Sequence, residues 1–277
     1  MTAIAARSAN RPNRTFPTSP TASALRKALP PIIVAAAVVL LWELLVTVLG
    51  VSSYVIAKPT EILVETIASA SMLWDATLVT TYEVVWGFLI SVVVGMAIAI
   101  AVVRFAWLER AVYPLIVLFQ VVPKVALAPI FILWFGYDLT PKLVLIVVMA
   151  FFPITINMVL GLKRSDEDLV LLMRSVGSTR NSIMTKVQIP TSLPYLFAGL
   201  RVGITLAVIG AVVAEFAGAQ DGLGYLIQYA STQLDTALMF AALIIVSVLG
   251  LIMYYGLGVI EYVLKRTLYP HLETRTD

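Results

Sequence analysis

The 277-residue chain is 60% hydrophobic and 13% charged, against roughly 45–50% apolar and about 25% charged in an average soluble domain, so a water-soluble fold of this size could not hide its apolar side chains. The net charge of +3 and pI near 9.1 do not point to nucleic acid, because the basic residues lie between apolar runs instead of interleaving with aromatics on one face. Cysteine is absent and the single histidine, His271, lies in a polar tail; disulfide, thiolate and cysteine–metal chemistry are thereby excluded, and no Walker or H-E-x-x-H motif is present.

Residues 1–29 read as a disordered basic tail, with Arg7, Arg11, Arg14, Arg26 and Lys27 among Pro, Ser and Thr. The apolar run from Pro30 to Gly50 exceeds the 7–15 residues of a signal-peptide core and no A-x-A-like site follows it. It predicts a first span over 31–49, with Pro30 and Pro31 at the helix start. Gaps in charge predict further spans over 80–103, 112–135, 141–162, 195–217 and 236–262. The fold class is thus an all-α membrane protein of about six transmembrane helices over 30–270, with a short tail at 271–277.

With a cytoplasmic N-terminus, sixteen of the nineteen Lys and Arg residues fall on the cytoplasmic side. Only Lys58 and Lys142 fall outside, and Lys124 lies within the third span. The positive-inside rule therefore places both termini in the cytoplasm, with the chain crossing the membrane several times. On the opposite side, Lys58-Pro59-Thr60-Glu61 predicts a short interfacial helix capped by Thr60. Residues 218–236, including Asp221-Gly222-Leu223-Gly224-Tyr225, form a second segment; each of the two fits either a cover for an outer mouth or an ordinary interfacial loop anchored by aromatics.

Lys124 stands between Pro123 and Pro129 in an apolar span. A lysine there costs about 2.5–3.5 kcal/mol on insertion scales, so it should face protein or water. Two roles fit it: lining a pathway with Gln120 and Asn157, or pairing with Glu215 or with carbonyls freed by the prolines. Glu215 and Glu43 read as packing or interface residues, Glu215 also as a pathway candidate, and Glu83 as a headgroup-level residue. Gly87, Gly95, Gly199, Gly203 and Gly210 suit close helix crossings.

The 163–194 loop is polar yet patterned. Ser165 and Asp168 make an S-x-x-D capping signature, and Leu169, Leu172, Met173 and Val176 then recur on one helical face. Gly177 suits the left-handed C-cap position. Ser178 or Thr179 could cap a second helix bearing Ile183, Met184 and Val187 on one side, with Arg180 and Lys186 elsewhere, until Pro190 and Pro194 stop it. A helix, an elbow and a second amphipathic helix between two spans make a rigid knob suited to docking.

The run Arg174-Ser175-Val176-Gly177, then Val187-Gln188-Ile189-Pro190, Ser192-Leu193-Pro194 and Gly199-Leu200-Arg201 resembles the EAA-loop signature of ABC-importer permeases. Leu171-Leu172-Met173 stands where that family has Glu-Ala-Ala. Pro123 to Pro129, Leu133-Trp134-Phe135-Gly136, Phe151-Phe152-Pro153, Ala214-Glu215 and Gly222 to Leu226 resemble the nitrate, sulfonate, taurine and bicarbonate permeases and their thiamine-precursor relatives. The resemblance implies a type I ABC-importer permease fold and a coupling loop carried by Arg174, Ser175, Gly177, Ser178, Arg180, Val187, Ile189 and Pro190. It also implies a second permease copy, two cytoplasmic ABC ATPase subunits that hold ATP and Mg2+, an extracytoplasmic solute-binding protein and surrounding membrane lipid. No cofactor on this chain and no nucleic acid is expected. The substrate would be a small anion or polar organic nutrient, including pyrimidine- or riboflavin-type precursors. An ion-coupled secondary transporter would be expected to show a duplicated half, which the chain lacks, and an intramembrane hydrolase a G-x-S-x-G or H-E-x-x-H motif.

Overall fold

The computed structural model describes residues 20–268, whose regular elements are all helical. Two units divide at Val51. The first contains α1 (Pro20–Val48), whose Leu29–Val48 part has the length and apolarity of a membrane crossing. Pro30 and Pro31 sit inside α1, not at its start. An interior proline removes one i→i−4 bond, and the run from Ala22 to Leu29, with its Ala, Leu, Arg and Lys, favours helix strongly enough to continue through the pair. Residues 20–29 are therefore helical, correcting the expectation of a disordered tail there; the expected tails at 1–19 and 271–277 lie outside the described residues.

The second unit contains α2 (Pro59–Ala68), α3 (Ala70–Arg104), α4 (Ala106–Val121), a 3₁₀ turn (Lys124–Leu127), α5 (Ala128–Phe135), α6 (Leu139–Lys163), α7 (Glu167–Ser175), α8 (Arg180–Ile183), a π turn (Met184–Gln188), α9 (Ile189–Gly218), α10 (Leu223–Thr232) and α11 (Thr236–Leu268). Its core is α6 clasped between α3 and α9 through glycines. A methyl group on Gly87 would lie 2.4 Å from Ile146 Cγ2, and one on Gly95 would lie 3.0 Å from Ile154 Cγ2. Gly199 and Gly203 face Pro153, Ile154 and Ala150, while Gly210 faces Ile146. Ile146 and Ile154 are fully buried as a result. The small-residue crossings expected from the sequence are thus where the helices meet.

These contacts also fix direction. Positions 87 and 95 of α3 meet 146 and 154 of α6, so the two helices run the same way. Along α9 the partners descend, from Gly161 beside Ser192 to Ile146 beside Gly210, so α9 is antiparallel to α6. Gly250 beside Val208 and Gly258 beside Arg201 turn α11 back again. Since α3 ends and α6 begins at opposite ends of the bundle, residues 105–138 must cross it.

That crossing is not the single helix expected over 112–135. It breaks after α4, where Val122 adopts φ −62°, ψ 127°. Pro123 supplies no N–H and forces the preceding residue out of the helical region. Pro129, in the first turn of α5, then suits a helix start. The bundle unit thus makes five passes, four by long apolar helices and one by the broken α4–α5 segment; the span-length α1 belongs to the other unit.

α2 also differs in detail from expectation. Its cap position is Lys58, with Pro59 at the first helical position, and the Glu61 carboxylate accepts the Lys58 N–H at 3.1 Å. Thr60 lies within the first turn and is not the cap.

Candidate functional site: a knob at the basic end and a break in the bundle

Arg104, Lys163, Arg164, Arg174, Arg180 and Lys186 gather at the end of the bundle where α3 and α6 finish and α9 begins. Lys163 is ion-paired with Glu109 of α4, and the Arg164 guanidinium both donates to the Tyr195 hydroxyl at 3.2 Å and lies over that ring. Beyond this belt projects α7. Asp166, not Ser165, is its N-cap, accepting the N–H groups of Asp168 and Leu169 at 3.1 and 3.3 Å; the Ser165 hydroxyl is buried and donates back to Leu162.

α7 ends in a complete Schellman turn. Gly177, at φ +78°, donates to Arg174 O and Ser178 donates to Met173 O, so the chain reverses at a position where a side chain would be strained. Thr179 then caps α8, accepting from Ser182 N at 3.3 Å. The two apolar faces meet different fates. Ile183, Met184 and Val187 are buried in the bundle, whereas Leu169, Leu172 and Val176 are 40%, 59% and 70% exposed. The amphipathic α7 thus leaves its apolar stripe uncovered beyond a belt of cations. Arg174 borders a cleft of about 310 Å³ between α7 and the end of α6; Ser175 and Arg180 are exposed, while Ile189 and Pro190 are half-buried.

Pro190 and Pro194 do not stop the second helix. The π turn at Met184–Gln188, closed by Ile189 N–H to Met184 O, widens the helix just ahead of Pro190, and a continuous helix runs from Arg180 to Gly218. A wider turn relieves the clash that a proline ring makes with the carbonyl four residues back.

Lys124 stands at the broken pass. Its ammonium lies 5.4 Å from the Phe152 ring centroid, and Val121, Pro123, Val125 and Ala126 around it are exposed. Irregular backbone at membrane depth cannot face lipid, because its polar groups need partners. Asn157 donates to Pro153 O on its own helix at 2.8 Å, filling the acceptor site beside the proline; the Gln120 side chain is outside the described ones. Behind the break, Phe119, Phe131, Phe151 and Phe152 line an apolar cavity of about 510 Å³.

Glu215 lies elsewhere, fully buried at the opposite end of the bundle. It accepts the Thr80 hydroxyl at 2.7 Å and the Gly224 N–H at 2.5 Å, while Thr80 Oγ1 accepts the Leu223 N–H at 2.9 Å. Gly222 caps α10 without a side chain, so α9 and α3 supply the acceptors that the first turn of α10 lacks. Glu83 is also buried and meets Lys142 at 2.5 Å. Glu83 and Lys142 were missed as partners because they stand 59 residues apart on helices whose register only packing reveals.

The model of the family described as binding-protein-dependent transport system inner membrane component matches residues 87–262. The formylaminopyrimidine transport permease protein ThiX of Halalkalibacterium halodurans is 35% identical over 239 residues, covering 86% of this chain and 95% of that one. The riboflavin transport system permease protein RibX of Chloroflexus aurantiacus is 34% identical, covering 81% and 85%. A chain of the MetNI methionine ABC transporter in an inward-facing conformation superposes with a TM-score of 0.57 at 22% identity, over 70% of this chain and 95% of that one, a likeness of fold.

Proposed function

Because the chain belongs to the family of binding-protein-dependent transport system inner membrane components, we propose that two copies of it enclose a translocation pathway and that α7 couples each copy to a cytoplasmic ATPase. As an ABC-importer permease it is a multi-pass membrane protein that works with a separate ATPase and a binding protein. The observation that carries the coupling role is the uncovered Leu169–Leu172–Val176 stripe, held rigid by the Gly177 elbow. The excess of Lys and Arg at the basic end supports reading that end as the cytoplasmic one. ATP and Mg2+ belong to the ATPase, and this chain itself carries no catalytic group.

The pathway reading rests on the broken pass. Its exposed backbone around Pro123 needs a neighbour other than lipid, and a second copy with a polar channel between the two supplies one. Lys124 then faces the channel, with Gln120 and Asn157 as candidates near it; Glu215 serves the outer end of the bundle. ATP binding draws the two ATPases together, moves both knobs and switches access between sides, the permease pair being the two-state element. The relatives named for formylaminopyrimidine and riboflavin favour a flat nitrogen heterocycle as substrate over a simple anion.

The test is copurification. The chain, tagged and extracted in mild detergent, is expected to bring down an ABC ATPase and to transport only with ATP. Transport by the isolated chain driven by an ion gradient would overturn the reading in favour of a secondary transporter.

A further inference from the structure

Helices α3, α6, α9 and α10 meet around two buried carboxyl groups. Glu83 is 1% exposed and Glu215 is 0% exposed, and the two lie within hydrogen-bonding reach of each other. Thr80, which donates to Glu215, precedes Glu83 by nearly one turn on the same face of α3. Every donor around the pair can be assigned. Thr80 and Gly224 N–H occupy the two oxygens of Glu215, and Lys142 occupies Glu83 Oε1. Glu83 Oε2 is left over, the one buried side-chain polar atom without a partner among the described residues. Buried polar atoms are almost always paired, and each exception needs a cause.

Charge gives the same count. Two carboxylates against one ammonium leave a buried excess of one negative charge, and Asp221 in the adjoining loop adds to the negative potential at Glu83. Such an excess is costly away from water. No group of three or more metal-binding side chains occurs among the described residues, which argues against a metal ion as the missing cation.

We infer that Glu83 and Glu215 bind a single proton between them, carried on Glu83 Oε2 and donated to a Glu215 oxygen. Formation of that O–H bond supplies the missing donor and leaves one acid, one carboxylate and one ammonium, a neutral cluster. Glu83 offers the seat for the proton because its second oxygen has no donor, whereas both Glu215 oxygens already accept one. Two carboxyl groups this close do not both ionise readily. The proton also bears on α10, whose first turn is seated on Glu215: its loss sets two adjacent negative charges beneath the Gly222–Gly224 turn.

Infrared spectroscopy of the full-length protein in lipid tests this. The wild type at neutral pH is expected to show a protonated-carboxyl C=O band that shifts in D2O, and the band is expected to vanish in both Glu83→Gln and Glu215→Gln. In Glu83→Gln the amide keeps an oxygen for Lys142 and offers an N–H in the proton's place. Its thermal stability should therefore lose the decline with rising pH expected of the wild type, whose folded state holds a proton that the unfolded chain has already given up. Absence of the band in the wild type, or its persistence in both variants, overturns the proposal. So does stability that follows added sodium instead of pH, which would mark a metal cation. If neither variant folds, wild-type stability must fall with rising pH over the range in which the folded protein still shows the band and level off once the band is lost; a fall confined to pH values above the loss of the band overturns it.

Discussion

Gly199 of α9 lies directly against the main chain of α6 at Ile154: a methyl group there would stand 3.1 Å from Ile154 Cα and 2.9 Å from Pro153 O. Backbone on both sides cannot step aside as a side-chain tip can. Gly199→Ala is accordingly expected to destabilise the folded chain by about 1–3 kcal/mol, the usual cost of overpacking. Gly256 of α11 has nothing within 4 Å of the same position, and Gly256→Ala should be neutral or stabilising by up to about 1 kcal/mol. Thermal unfolding of the two variants in detergent compares them, and equal losses would refute the crossing as the cause.

On the knob, Leu172→Asp and Val176→Asp place charge on side chains more than half exposed. Protein level in the membrane is expected to stay near normal while ATPase copurification falls at least tenfold. A single such charge desolvated in a docked interface costs more than the 1.4 kcal/mol that a tenfold loss represents. Retained ATPase binding in both variants would remove α7 from the coupling role.

Lys124 gives a separable outcome. Lys124→Ala should lower substrate-stimulated ATP hydrolysis of the reconstituted complex several-fold at unchanged assembly, and Lys124→Arg should retain part of it, since a guanidinium also stacks on Phe152. Wild-type turnover and wild-type substrate affinity in the alanine variant would confine Lys124 to a structural role.

At the far end, a methyl on Gly222 would fall 2.3 Å from the Glu215 carboxyl carbon, at a φ of +108° that side chains rarely adopt. Gly222→Ala is expected to be strongly destabilising. Combined with Glu215→Ala, part of that penalty should vanish, giving a non-additivity of about 0.5–3 kcal/mol in a double-mutant cycle. Strict additivity would mean that the cost lies in backbone strain alone.

Spans, glycine crossings and the Gly177 elbow were legible because each rests on local chemistry: apolar length, absent side chains, a left-handed cap. What stayed hidden required a neighbour. Pro190 reads as a helix stop until the π turn before it is seen, and Pro123 reads as a kink until the direction of α3 against α6 demands a separate pass. The exchange of Asp166 for Ser165 at the α7 cap is a local contest between two good cap residues, settled when Ser165 turns its hydroxyl back to Leu162. Glu83 escaped because nothing within its own span indicates that α6 will bring Lys142 to it.

The absence of a stop at Pro190 has a mechanical consequence. Thirty-nine residues from Arg180 to Gly218 form one uninterrupted helix, roughly 55–60 Å long at about 1.5 Å per residue, against a hydrocarbon core about 30 Å thick. One end abuts the docking elbow and the other carries Glu215, on which α10 is seated. On the coupling role proposed for α7, a displacement applied at the elbow would arrive across the membrane as the motion of a single rod pivoting on the glycine contacts with α6, and opening on one face and closing on the other would be two readings of the same tilt.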